Sequence, residues 1–379
     1  MIMPSKKNFT ANGLPVLIGS LPLRDHKEAL ERIFTATPEI PLWPQLPGDP
    51  FEGMIPQFAE GIPCIREENL HDPEGRILYD TSAADFEEQM LAFYEDYMAV
   101  LENAEAPAGE RFRVSRKRAE GLYCFAEAIQ EKQGPYNQEY SQDLVALKGQ
   151  VTGPFTMLTG IKDAQGRAGY YDETIREMVI KGIAMKAAWQ TRFLACCNNK
   201  PVMMFIDEPA LAGLGSSAFI SVNNEEIQDM INEVAEAIHQ AGGLAGIHVC
   251  ANTEWGLLLD SHIDILSFDA YSFFDKLAAL DEQVQSYLDR GGILAWGGIP
   301  TGKPYDIEKE STESLTMLWE DQMKKLVRPG RDQADLLRQT LITPSCGTGS
   351  LRLEHAEKVL QMTKEVSHNL RAKYLPDGD

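Results

Sequence analysis

Residues 224–253, NEEIQDMINEVAEAIHQAGGLAGIHVCANT, contain one complete unit of alternating secondary structure. The first half places apolar residues at helical spacing, and the pair Gly242-Gly243 then ends the predicted helix. The short apolar run 244–247 predicts a buried strand. A histidine and a cysteine, His248 and Cys250, stand where this strand ends. The stretch therefore predicts a helix followed by a strand whose carboxyl end carries reactive side chains.

The same alternation runs through most of the chain. Strand-like apolar runs occupy 144–149, 202–206, 244–248, 264–268, 292–296 and 340–343, and short extended segments lie near residues 16 and 41. Helical patterns fill most of the gaps, at 25–36, 173–197, 224–241, 275–289, 312–328 and 350–373. Eight strands alternating with helices predict the α/β class and a single (β/α)8 TIM barrel, with a doubly wound open sheet as the alternative.

Residues 48–140 depart from this rhythm. They contain a Gly/Pro-rich loop, a polar piece that predicts a hairpin over 62–80, and helical patterns over 84–104 and 115–132. We interpret the region as a helical and hairpin elaboration within one barrel domain that spans residues 1–379.

The overall charge limits the classes of partner. Acidic residues outnumber basic ones by 57 to 35, and the formal net charge is −22. Such a field repels nucleic acids and anionic membranes, so neither is expected as a partner. No apolar run approaches the roughly 18–20 residues of a membrane span, and the first residues lack the apolar core of a signal peptide. Six scattered cysteines indicate no disulfide framework, and we expect a cytoplasmic, reducing environment.

Polar or turn-forming residues follow most of the predicted strands. In a TIM barrel the carboxyl ends of the strands surround the active site, so these stretches are expected to form one rim. They are Gly19-Ser20, 152–154, 207–209, 248–250, Asp269, 297–298 and 346–347.

Four of these strand-end residues offer metal ligands. His248 and Cys250 present an imidazole and a thiolate, and Asp269 and Cys346 follow two other apolar runs. Nitrogen and sulfur donors favour zinc over magnesium or calcium. Asp269 is interpreted as a fourth, displaceable ligand, as a partner for His248, or as an ordinary carboxylate of the rim. The alternative for the whole set is buried packing without a metal.

His248-x-Cys250 with the later Cys346 resembles the zinc site of cobalamin-independent methionine synthases and of methylcobamide:thiol methyltransferases. The wider sequence is similar to the uroporphyrinogen decarboxylase/methionine synthase superfamily of TIM barrels. Residues 205–211, FIDEPAL, closely resemble the IDEPAL segment of methionine synthases, and 345–349, SCGTG, complete the pattern. The likeness is strongest from 144 to 373.

The resemblance implies roles for substrate-binding residues. The matching aspartate of methionine synthases pairs with the α-ammonium of the substrate, which makes Asp207 the candidate here; an N-cap before Pro209 is the alternative. Ile18-Gly19-Ser20 resembles the segment that receives the substrate carboxylate, and Glu60 is a candidate second carboxylate for the amine. Residues 148–154, KGQVTGP, resemble a family loop whose turn residues indicate a defined shape.

The function implied is a zinc-dependent methyltransferase that acts on a thiol, with His248, Cys250, Cys346 and Asp207 as catalytic residues. Homocysteine is the favoured acceptor, giving methionine, and the zinc-bound thiolate would attack the methyl group in line. The donor is a methylcorrinoid such as methylcobalamin, free or on a corrinoid protein, or methyltetrahydrofolate. Full cobalamin-independent methionine synthases carry an additional N-terminal barrel that helps to bind the folate. Its expected absence here favours the corrinoid.

Three other functions are alternatives. Residues 248–253, HVCANT, also resemble the HxCxNT of methylcobamide:coenzyme M methyltransferases, although coenzyme M has no ammonium group for Asp207 to bind. A uroporphyrinogen-decarboxylase-like lyase would need a basic pocket, and no Arg-rich stretch occurs at the first strand end. A non-catalytic corrinoid-binding protein would bind cobamide without turnover, but the DxHxxG signature of corrinoid modules is missing.

Overall fold

The computed structural model describes residues 9–72, 75–104, 107–131, 143–214 and 222–376. A small antiparallel hairpin precedes a sheet of six parallel strands that adjoin one another in sequence order. The strands are β1 (Ile65–Glu68), β2 (Arg76–Tyr79), β3 (Leu147–Thr152), β4 (Val202–Asp207), β5 (Leu244–Val249), β6 (Ile265–Phe268), β7 (Ile293–Ile299) and β8 (Thr340–Pro344).

Helices alternate with the parallel strands. The α-helices are His26–Ala36, Met54–Ala59, Phe86–Glu102, Glu120–Gln130, Pro154–Gly160, Glu173–Cys197, Asn224–Gln240, Trp255–Leu259, Ala270–Ala278, Asp281–Asp289, Pro304–Lys309, Thr312–Met323, Gln333–Arg338 and Leu353–Tyr374. Short 3₁₀-helices lie at Pro50–Glu52, Pro107–Phe112, Gly169–Tyr171 and Pro209–Gly213. A helical crossover between each parallel strand and the next is the order of an α/β protein, as predicted.

The six parallel strands bring their carboxyl ends to one edge of a curled sheet. All six are buried along their whole length, as expected for a parallel sheet covered on both faces. In the register, Asp207 pairs with Thr152 on one side and with His248 on the other. The side chains that follow neighbouring strands therefore lie close together.

Two of the eight predicted strands are present only as isolated bridges at the edges of this sheet. The bridges join Pro15 to Ile342, Leu42 to Lys148, and Ser20 to Gln45. Proline has no N–H to donate, and Pro15, Pro41 and Pro44 interrupt the ladders that these segments would otherwise form. The main sheet of full strands thus has six members rather than eight.

The helices cover the sheet with one apolar side each. In helix Asn224–Gln240 the Asn223 side chain accepts a hydrogen bond from Glu225 N, and a stripe from Ile227 to Ile238 is buried. Gly242, with a φ of 86°, turns the chain towards β5. No helix in the described part of the chain is long and apolar enough to cross a membrane.

Several boundaries differ from the sequence prediction. The strand predicted to start at 144 starts at Leu147, and the helix predicted over 275–289 is divided into two. The first of these begins early because the Asp269 side chain accepts a hydrogen bond from Ser272 N at its N-terminus. Short helices such as Pro154–Gly160 were not predicted, because six or seven residues carry too little periodicity.

The region around 48–140 contains the predicted hairpin and helices. β1 pairs with β2 in antiparallel register. Phe93 is fully buried, and its ring makes a T-shaped contact with Phe112, with 5.7 Å between centroids. Residues 132–140 of this predicted elaboration lie outside the described residues.

Candidate metal centre and substrate pocket

Three ligand atoms meet at the carboxyl edge of the sheet. The Nε2 or Nδ1 atom of His248 and the Sγ atoms of Cys250 and Cys346 all lie within 4.8 Å of one another. His248 and Cys250 stand at the end of β5, and Cys346 follows β8. Because β5 and β8 are separated by two strands, the curl of the sheet brings these residues together. One nitrogen and two sulfur donors could hold a metal ion, and this combination of donors suits zinc.

The environment of His248 leaves one ring nitrogen available. Its Nδ1 lies 2.9 Å from Ser267 Oγ, and the residue is only 4% exposed. Its Nε2 is buried and has no hydrogen-bond partner among the described residues. A buried polar atom without a partner is unfavourable, so Nε2 is the atom that a metal ion would satisfy.

The two thiols have pKa values that are shifted in opposite directions. The neighbouring Cys346 thiol and the adjacent His248 lower the pKa of Cys250 below its ordinary value. The pKa of Cys346 is raised, because its proton is held by the hydrogen bond to Cys250 and its side chain is buried. A divalent cation would displace the thiol protons, since thiolates rather than thiols are metal ligands.

These side chains open into a cavity of about 280 Å³. Six of the candidate ligand and substrate-binding residues line it: Ile18, Ser20, Asp207, His248, Cys250 and Cys346. The remaining lining residues are Gln45, Pro47, Glu52, Met54, Pro209, Gly347, Gly349 and Ser350. The cavity therefore joins the metal-ligand cluster to the turn at residues 18–20.

Asp207 is a carboxylic acid that is largely shielded from solvent. It is 9% exposed, and its Oδ1 has no hydrogen-bond partner among the described residues. Burial raises the pKa of Asp207 to about 6, although the charges of Lys148 and His248 oppose this shift. An ammonium group in the cavity would both satisfy the free oxygen and stabilise the carboxylate.

The turn at residues 18–20 is packed tightly against its neighbours. Gly19 has a φ of 154°, and a Cβ there would lie 2.9 Å from Gln45 Oε1. Ser20 Oγ accepts a hydrogen bond of 3.2 Å from Gly349 N, and Ser20 O accepts one of 3.0 Å from Thr348 N. The loop that carries Cys346 thus continues directly against this turn.

Glu208, beside Asp207, has a structural role. Its carboxylate accepts hydrogen bonds from Phe155 N at 2.9 Å, Thr156 N at 2.8 Å and Thr156 Oγ1 at 2.6 Å. These bonds satisfy the first turn of helix Pro154–Gly160. No side-chain cap is present at helix Pro209–Gly213, so the N-cap alternative for Asp207 is not observed.

Two candidate residues, Glu60 and Asp269, are not members of the cluster. The carboxylate of Glu60 accepts a hydrogen bond from Ser115 N at 3.3 Å and lines a different depression, beside Arg111. Gly61, with a φ of 79°, turns the chain just after Glu60, and the structure does not bring this carboxylate to the cavity. Asp269 caps helix Ala270–Ala278 through Ser272 N, at 2.8 Å, and lies outside the group of clustered ligand atoms. Burial raises its pKa, and the nearby Cys250 adds to the effect.

Residues 45–54 also line the cavity, and the sequence does not predict this role for them. Glu52 is 4% exposed, and its carboxylate accepts a hydrogen bond from Leu46 N at 2.8 Å. The other oxygen lies 2.8 Å from His26 Nε2. The sequence shows only a Gly/Pro-rich loop here, and no local pattern indicates that its acid is buried.

Comparisons with known proteins support the fold. No protein-family model matches the chain, and a search of curated proteins finds no match. Among solved structures, a B12-independent methionine synthase from Shewanella sp. W3-18-1 is 17% identical with a TM-score of 0.46, over 66% of this chain and 68% of that one. A methyltransferase from Methanosarcina mazei is 11% identical with a TM-score of 0.50, over 93% of this chain and 94% of that one. The second likeness spans nearly all of both chains and confirms the predicted resemblance at the level of the fold.

Proposed function

We propose that this protein is a zinc-dependent methyltransferase that transfers a methyl group to a thiol, with homocysteine as the favoured acceptor. The observation that carries the proposal is the cluster of His248, Cys250 and Cys346, whose ligand atoms lie within 4.8 Å at the wall of a cavity. The unpartnered Nε2 of His248 fits a metal ligand. The likeness to a methyltransferase of known structure is consistent with this reading.

The donor set fits zinc. His248 Nε2 and the two Sγ atoms would hold the ion, and a fourth position would be left for the acceptor thiol. When bound, zinc lowers the pKa of a thiol so that it is a thiolate at neutral pH. We leave Asp269 outside the ligand set, because its carboxylate caps a helix.

The chain's own residues would bind and orient the acceptor. The free Oδ1 of Asp207 is suited to the α-ammonium, and the Ile18-Gly19-Ser20 turn is suited to the carboxylate. Holding both ends of a small amino acid orients its sulfur towards the three ligand atoms. Such orientation supplies much of the rate in a bimolecular transfer.

The architecture proposed with this function is a complete eight-stranded barrel within one domain. The segments near residues 16 and 41 would take the places of its first two strands, because their bridges reach β8 and β3. The elaboration near 48–140 would belong to the same domain, since Glu52 and Met54 line the cavity.

The residues that line the cavity favour homocysteine over other acceptors, and methyl transfer over other reactions. The unpartnered carboxylate of Asp207 suits an ammonium, which coenzyme M lacks. Among the described residues the lining includes Asp207 and Glu52 but no lysine or arginine, which disfavours a lyase acting on a substrate with many carboxylates. Either methylcobalamin or methyltetrahydrofolate would be the donor, and assays with each distinguish them.

The first test is metal content by elemental analysis of wild type, Cys250→Ala and Cys346→Ala, purified without chelator. We expect about one zinc per chain in the wild type and almost none in either variant, because three ligands are needed to hold a catalytic zinc. Cys196→Ala, at an exposed thiol, is the matched control and should keep its zinc. A folded, metal-free wild type would contradict the proposal.

A further inference from the structure

Lys148 is a buried cation whose ammonium group contacts the turn at residues 18–20. It belongs to β3 and is 1% exposed. Its Nζ donates a hydrogen bond of 2.5 Å to Ile18 O and lies 3.4 Å from Gln150 Oε1. The same Nζ lies 4.6 Å from the centroid of the Phe205 ring. A buried ammonium is retained only where specific partners compensate its desolvation.

The bond to Ile18 O determines how the next peptide is oriented. A trans peptide is planar, so its N–H points opposite to its carbonyl. When Lys148 holds the Ile18 carbonyl towards the sheet interior, the N–H of Gly19 points away from Lys148. A Cβ at Gly19 would lie 3.2 Å from Gln150 Nε2, so the Gln150 side chain already packs against the turn at this position.

The turn at residues 18–20 carries two backbone N–H groups that could bind a ligand. In the described part of the chain, no acceptor is paired with the N–H groups of Gly19 and Ser20. Ser20 Oγ is held by Gly349 N, which keeps the turn against the Cys346 loop. Free backbone donors at a glycine-containing turn are suited to an anion such as a carboxylate.

The same cation also acts on Asp207. Its charge favours the ionised form of Asp207 against the effect of burial on the pKa of that acid. Burial in turn lowers the pKa of Lys148 to about 8, and the charge of Asp207 opposes that shift. One buried ammonium thus lies close to both groups that would hold the acceptor.

We propose that Lys148 is a positioning residue, which orients the Ile18–Gly19 peptide so that the turn receives the carboxylate of the acceptor. This inference rests on the proposed function for the identity of the acceptor. It adds a residue that does not touch the substrate and acts through the main chain of the turn.

The test compares the binding of three thiols to zinc-loaded protein by calorimetry. The thiols are L-homocysteine, 4-mercaptobutanoate, which lacks the amine, and 3-mercaptopropylamine, which lacks the carboxylate. In Lys148→Met we expect L-homocysteine and 4-mercaptobutanoate, the two thiols that carry a carboxylate, to bind about tenfold more weakly, because the turn loses its orienting bond. Binding of the amine should weaken less than binding of the two carboxylates, because loss of the Lys148 charge raises the pKa of Asp207 but removes no bond to the amine.

Lys186→Met is the matched control. Lys186 is also 1% exposed, but its Nζ donates to Arg113 O, at 3.3 Å. This variant should bind all three thiols as the wild type does. Equal losses for all three thiols in Lys148→Met, or no loss, would overturn the inference. If Lys148→Met does not fold, Lys148→Gln, which keeps a donor, takes its place with a smaller expected loss.

Crystal structures without ligand separate this inference from the proposed function. We expect the Ile18–Gly19 peptide to change orientation in the Lys148 variant and to stay unchanged in Lys186→Met. An unchanged peptide in the Lys148 variant would overturn the inference whether or not the protein binds a thiol. Failure of the wild type to bind zinc and any of the thiols would instead count against the proposed function.

Discussion

Ser267 orients the ring of His248 through one hydrogen bond. Its hydroxyl lies 2.9 Å from His248 Nδ1 and can accept the proton of that nitrogen. With the proton on Nδ1, the lone pair is on Nε2, which is the atom without a partner. The same contact fixes the plane of the ring. A residue on β6 therefore decides which nitrogen of a β5 residue faces the cysteines.

Removal of this hydroxyl is expected to weaken zinc binding without abolishing it. Ser267→Ala should lower zinc affinity about tenfold, the usual effect of losing a hydrogen bond to a metal-binding histidine. Competition with a chromophoric chelator measures the affinity. Ser261→Ala is the control, because this buried serine donates to Leu257 O away from the cluster. Equal affinities in wild type and Ser267→Ala would show that Ser267 does not orient the ring.

At the scale of elements, the junction between β4 and helix Pro154–Gly160 supports the cavity. Glu208 is fully buried, and its two oxygens accept three hydrogen bonds from the start of that helix. Gly153 permits the approach, since a Cβ there would lie 2.2 Å from Glu208 Cδ. Asp207, the preceding residue, is thereby held at the edge of the sheet.

Loss of the Glu208 carboxylate should destabilise the fold. Glu208→Ala leaves three buried donors without an acceptor, and we expect the free energy of unfolding to fall by about 2 to 3 kcal/mol. Urea denaturation followed by circular dichroism measures this change. Glu102→Ala, at an exposed helix end, should stay within about 0.5 kcal/mol of the wild type. A loss no larger than that of the control would mean that water replaces the carboxylate.

For the whole molecule, the pocket depends on contact between the two ends of the described chain. Gly349 N and Thr348 N both bind Ser20, although these residues lie more than 300 positions apart in the sequence. Gly347 allows this approach, because a Cβ there would lie 2.1 Å from Ser20 Oγ. Ser367, on helix Leu353–Tyr374, adds a hydrogen bond of 2.6 Å to Gly13 O.

A side chain at position 347 is expected to separate these two ends. Gly347→Ala should weaken L-homocysteine binding about tenfold, because it moves the turn at 18–20 away from the ligand atoms. Zinc content should stay at about one per chain, since no ligand is changed. Gly302→Ala, where a Cβ meets nothing within 4 Å, is the matched control. Unchanged homocysteine binding in Gly347→Ala, measured by calorimetry, would contradict this account of the pocket.

Local patterns in the sequence were sufficient for most of the sheet. The parallel strands other than β3 consist mainly of apolar residues, and such runs are buried wherever helices cover both faces. β3 is buried as well, although it contains Lys148 and Gln150. Residue chemistry also indicated the ligands, because imidazole and thiolate side chains placed after strands can meet only at the carboxyl edge of a parallel sheet. His248, Cys250 and Cys346 do meet there.

The tertiary structure decided what depends on contacts between distant segments. It placed Glu60 in another depression and brought Glu52 to the cavity, because the path of a loop follows from what it packs against. It reduced the segments near 16 and 41 to single bridges, since proline lacks an N–H for the ladder. It also placed the buried ammonium of Lys148 against the carbonyl of Ile18, 130 residues away in sequence. Local patterns thus predicted the six strands of the sheet and the side-chain types at their ends, whereas the shape of the pocket required the folded chain, because its walls come from segments that are far apart in the sequence.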